Sequence, residues 1–184
     1  MSRVVARRAW TAIVVVALAA LAVGVDAITP GATLRSSPFP GLGSGSASSG
    51  PLTVEVHGAE LASSIEVDGE RRETTGAFVV LDVTIASRED VDLLDRDLVL
   101  DGRVYDASTK GPTAWQESHP APGIPVRGDL VFEVDRDLVV GGAPVDLLVA
   151  PGFDAAGDLQ PQVVVRWDVD GAIVDVVAVE ALAR

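Results

Sequence analysis

The chain has 184 residues, 48% of them apolar, enough for one domain with a buried core plus appendages. Lys and Arg total 14 against 27 Asp and Glu, a formal net charge of −13, which repels phosphate backbones and argues against nucleic acid as a partner. There is no Cys, which excludes disulfides, thiolate catalysis, Cys-based zinc sites and a lipid-modified cysteine anchor.

Three arginines, Arg3, Arg7 and Arg8, open the chain without an acidic residue among them. An uncharged, largely apolar run follows over residues 9–25 and ends at Asp26. At about 1.5 Å per residue it is just long enough to span a bilayer as a helix. The arginines favour the cytoplasmic side, so the rest of the chain is expected outside. Two outcomes fit. Residues 1–27 are a single-pass membrane anchor, or they are a signal peptide cut after Ala27 behind Val25-Asp26-Ala27.

Residues 28–51 are dominated by Gly, Ser and Pro and predict a flexible linker. No phosphate-loop or nucleophile-elbow pattern occurs there. Residues 52–184 are expected to form the folded domain. Their apolar residues follow a period of two, which predicts strands. Leu52–Val56 and Leu61–Val67 are two short extended pieces, and Phe78–Ile85 is the strongest strand. Asp101-Gly102 predicts a tight hairpin between Asp97–Leu100 and Arg103–Tyr105. Leu130–Val134 and Val145–Val149 follow. Asp170-Gly171 predicts a C-terminal hairpin joining Val163–Trp167 to Ile173–Val177. Short strands separated by turns imply an all-β fold, an immunoglobulin-like antiparallel β-sandwich behind one N-terminal helix. The predicted core is Val54, Val56, Val79, Leu81, Val83, Leu98, Leu100, Leu130, Phe132, Val164 and Trp167.

The run Gly76–Ile85, followed by Asp101–Tyr105, Pro122-Gly123 and Gly128–Val134, resembles a bacterial extracytoplasmic domain family of unknown function. That family has a telokin-like, immunoglobulin-like β-sandwich and includes secreted immunogenic antigens. The resemblance covers roughly Leu52 to Val179. This chain departs from it at Ser87, where the family often has Asn, and in lacking the Cys of a lipoprotein start. The resemblance implies a fold and an address, with no catalytic residues to carry over.

Candidate sites are few. Trp115, Gln116, Glu117 and His119, in the Pro-rich loop, form a candidate partner-binding loop if Trp115 is exposed; alternatively Trp115 folds back to cap the sandwich. Asp90, Asp92 and Asp95 offer oxygen ligands for a weak calcium site, but their spacing is not that of a calcium loop, and a solvated connection is the expectation. His57 and His119 lack metal-ligand spacing. The expected function is a non-enzymatic binding or accessory module of the bacterial cell envelope. Its partner is another envelope or membrane protein, it contacts the membrane through residues 9–25 if uncleaved, and it needs no cofactor or metal. The alternative is an envelope hydrolase or metal-dependent enzyme.

Overall fold

The computed structural model describes residues 41–91, 94–113, 115, 120–139, 142–151, 162–169 and 171–180. The N-terminal apolar segment lies outside these, and no helix among the described residues is long and apolar enough to cross a membrane. Among the described residues ten strands build two sheets. They are β1 (Gly41–Ser44), β2 (Ser46–Ser49), β3 (Leu52–Val67), β4 (Glu70–Ser87), β5 (Leu94–Leu100), β6 (Arg103–Asp106), β7 (Val126–Val134), β8 (Ala143–Pro151), β9 (Val163–Val169) and β10 (Val174–Ala178). One sheet has the order β1-β9-β8-β5-β6; the other has β10-β3-β4-β7, with β2 also on β3. A four-residue helix α1 (Arg136–Val139) connects β7 to β8.

The period-two pattern works as expected at the centre. Val79, Leu81, Val83 and Ile85 of β4 meet Leu98, Leu100, Leu147, Val163 and Val165 of the facing sheet in one buried cluster. Full burial of such side chains contributes about 1.5–3 kcal/mol each. Nine of the eleven predicted core residues lie in that cluster, and Trp167 packs against it. Val164 is buried, at 7% exposure, but outside that cluster: Val163 and Val165 point into it, so Val164 faces the other way. Within a run of three valines the sequence offers no alternation to choose the face.

Asp101 and Gly102 both take positive φ, 51° and 73°, and close the β5–β6 hairpin as predicted. A second such turn was not foreseen. Asp68 and Gly69, with φ of 54° and 78°, join β3 to β4. The two short pieces Leu52–Val56 and Leu61–Val67 are therefore one 16-residue strand with register shifts after Val56 and after Ala62. The predicted C-terminal hairpin does not form. β9 pairs with β8 in one sheet, whereas β10 runs parallel to β3 in the other. Past Gly171 the chain crosses between sheets instead of folding back.

The sequence-predicted linker also needs correction. Its last part is β1 and β2, which carry the chain from one sheet to the other through Gly45. A Cβ on Gly41 would sit 2.0 Å from the Ser48 carbonyl oxygen, and one on Gly43 would sit 1.8 Å from that of Ser46. The small residues here permit two backbones to touch; they are a packing requirement as well as a mark of flexibility.

The β3–β4 ladder slips between Ala62↔Phe78 and Ser64↔Glu73. Beyond the slip, Ile65 and Val67 of the hairpin tip join Val177 and Val179 in a second buried cluster with Phe78, Val80 and Val131. Those last three alternate with the residues that fill the main core. The tip and β10 thus lie over the outer face of the β3–β4–β7 sheet. The segment after β6 packs beside them. Ser108 donates its N–H to the Val131 carbonyl, and Arg72 donates to the Lys110 carbonyl. Lys110, the only lysine in the chain, reaches the Glu133 carboxylate at 2.5 Å and the Glu73 carbonyl at 2.9 Å.

Candidate functional site

The roof over the outer face leaves a hollow of about 690 Å³ at its end. The floor comes from three neighbouring strands in register. Gly58 of β3 lies opposite Asp82 of β4, which lies opposite Asp129 of β7. Alternation then places Glu60 and Val80 one row further along. Val177, Ala178 and Glu180 complete the lining. A Cβ at Gly58 would meet nothing within 4 Å, so that glycine leaves the space open.

Four carboxylates and one guanidinium line this hollow: Glu60, Asp82, Asp129, Glu180 and Arg127. Arg127 is committed to Asp82 through two parallel bonds, Nε to Oδ1 at 2.9 Å and Nη2 to Oδ2 at 2.5 Å. That pairing holds the Asp82 carboxyl below its usual range. Asp129 goes the other way. Burial raises its pKa first, the Glu180 backbone N–H at 2.7 Å opposes this, and the charges of Asp82, Glu180 and Glu60 raise it further. Adjacent acids in one row are thus driven apart, one charged by a fork of donors and one pressed towards its neutral form.

Asp129 therefore binds its proton more tightly folded than unfolded. Its stabilising effect is complete below the ordinary value of 3.8 and is lost as pH rises through the raised folded value. Asp82 has the opposite sign: its contribution is present at neutral pH and fades as pH falls through its lowered value. Asp129→Asn keeps an acceptor for Glu180 and removes the charge. It is expected to raise stability at about pH 7 by roughly 0.5–1 kcal/mol, a range discounted for solvent screening, and to have no such effect near pH 3. Urea unfolding at the two pH values checks this, and an unchanged midpoint at neutral pH would count against the crowding of charge.

The second feature adjoins the first. β10 ends its sheet, and no strand pairs with its other edge among the described residues. Val174 and Val176 are 46% and 37% exposed, two of the five large apolar side chains left open to solvent among the described residues. With Ala59, Glu60, Leu61, Ala172, Val177 and Ala178 they line a groove of about 470 Å³. Groove and hollow share Ala59, Glu60, Val177 and Ala178. The inner edge of β10 is fixed. Ser64 Oγ donates to the Asp175 carbonyl at 2.7 Å, Ser63 Oγ does so at 3.0 Å, and Arg71 pairs with the Asp175 carboxylate at 3.1 Å. β2 stops at Glu55 and β10 starts at Ala62, so the intervening part of β3 borders the groove with no strand on that side.

The residues singled out from sequence lie elsewhere. Trp115 is 4% exposed and belongs to the main core, so it takes the capping alternative and is not a surface anchor. Arg96 lies over its ring, 5.7 Å from the centroid, and donates to its carbonyl. Gln116, Glu117 and His119 are outside the described residues. Of the acidic run, Asp92 is likewise outside, while Asp90 and Asp95 are exposed. Among the described residues no three His, Asp or Glu side chains gather into a metal-holding group. His57 Nε2 lies 2.8 Å from the Thr84 hydroxyl on the outer face.

The hollow and groove were missed because nothing local marks them. Their acids are spread from Glu60 to Glu180 and become neighbours only through the register of β3, β4 and β7.

No family model matches the chain, and no curated protein matches it. A solved structure, an uncharacterised β-sandwich protein from Clostridium difficile 630, is similar at 13% identity and a TM-score of 0.41. The match covers 67% of this chain and 90% of that one.

Proposed function

We propose that this chain is a non-enzymatic binding or accessory module, held outside the membrane of a bacterial cell by its N-terminal segment. The observation that carries the binding reading is the combination on β10: a sheet edge that no strand among the described residues pairs, two exposed valines and an adjoining acidic hollow. A free edge offers main-chain groups to an incoming strand, and most β-proteins cover or charge such edges. Here two of the exposed side chains on it, Val174 and Val176, are apolar, and the exposed Asp175 between them is paired with Arg71. The address rests on the arginines ahead of residues 9–25. We read the sandwich as immunoglobulin-like and telokin-like. The first strand pair changes sheets at Gly45, and the Gly76–Ile85 run that carries the family resemblance is the central part of β4.

A photoreactive amino acid at Val176, activated in intact cells, tests both parts. The expected result is a discrete cross-linked species in the membrane fraction, sensitive to protease added from outside. The same group at Val104, an exposed position on the opposite sheet, should give none. Equal products from both positions, or protection from external protease, would overturn the proposal.

A further inference from the structure

Resting on that binding reading, we infer that the groove along β10 receives an extended partner segment with alternating apolar and basic side chains, which adds to the free edge as a further strand. Three features select this occupant. The edge supplies the main-chain partners, since β10 ends its sheet. The groove supplies apolar contacts at every second position, because Val174, Val176 and Ala178 share one side of the strand. The adjoining hollow supplies the charge. Four carboxylates meet one guanidinium there, and that guanidinium is already engaged by Asp82. A lysine or arginine extending from the added strand would relieve the crowding that acts on Asp129.

The same charges argue against two other occupants. A second copy would bring a surface of the same acidic sign against the hollow, in a chain of net charge −13. An anionic lipid surface would meet the same repulsion.

The test uses the isotope-labelled full chain in detergent and three synthetic peptides of about nine residues, a common strand length. They alternate valine with lysine, with glutamate or with threonine. The lysine peptide is expected to shift the backbone amides of Val174–Ala178 and to bind more weakly as salt rises. Glu60→Gln combined with Glu180→Gln should weaken it about five- to tenfold. Gly58→Phe, whose Cβ would meet nothing within 4 Å and which removes no charged group, should weaken it as much or more. An unchanged unfolding midpoint in each variant shows that the fold is intact. If the glutamate or threonine peptide binds the same amides equally well, the partner chemistry is overturned and the binding reading stands. If none of the three moves those amides, the edge is not a binding surface and both fall.

Discussion

Gly43→Val is expected to destabilise the domain by about 3 kcal/mol or more, read as a lower midpoint in urea unfolding. The reason is backbone contact, which side-chain repacking cannot relieve. The nearest atom to a new Cβ would be the Ser46 carbonyl oxygen, at 1.8 Å. To make room, β1 must leave β2, and both are committed on their other sides. β1 pairs in parallel with β9 over Gly41–Ser44, and β2 pairs with β3 over Ser46–Ser49. Parting them breaks one of these ladders, and on the β2 side that uncovers the edge of β3 beside Leu52 and Val54, both fully buried. Gly58→Ala is the matched control. It lies in a strand of the other sheet, has no positive φ, and its new Cβ would meet nothing within 4 Å, so it should be neutral or slightly stabilising. If Gly43→Val proved as mild as Gly58→Ala, residues 41–49 would behave as the flexible linker their composition predicts.

That contrast shows which parts of the fold the sequence makes legible. Where a strand is buried on one face and bounded by a turn of special chemistry, reading succeeds: Phe78–Ile85 and the Asp101-Gly102 hairpin are examples. It fails where one composition serves two ends. Gly and Ser mark a linker, and they also let β1 and β2 approach each other. Asp-Gly occurs at Asp68, Asp101 and Asp170, and only the first two pairs close hairpins. After Asp68-Gly69 the strand begins Glu70-Arg71-Arg72-Glu73, without apolar alternation, because this arm curls over the outer face with its charges in solvent. On either side of Asp170-Gly171 two valine-rich stretches promise a hairpin, yet the second pairs instead with β3, with Ser63 and Ser64 to hold it. The groove and hollow depend on that choice, and so escape local reading.

Trp115→Ala carries the second large effect, an expected loss of about 3–5 kcal/mol by denaturant unfolding. The ring is 4% exposed and packs in the cluster that joins the two sheets. Removing it leaves a cavity that the surrounding valines and leucines cannot fill without moving strands. It also strips Arg96 of the ring it lies against, and burial already pulls the Arg96 pKa down. Arg96 Nε and Trp115 Nε1 are both buried without a hydrogen-bond partner among the described residues. Trp115→Phe should recover most of the stability, because it restores apolar volume and removes a donor that has no acceptor there. In the cross-linking experiment at Val176, Trp115→Phe should leave the product unchanged. A Trp115→Ala protein with wild-type stability that nevertheless lost its partner would return the recognition role to the Pro-rich loop and remove it from β10. A destabilised protein that still cross-links when kept below its unfolding midpoint would separate the two roles, with Trp115 holding the sandwich shut and β10 presenting its edge.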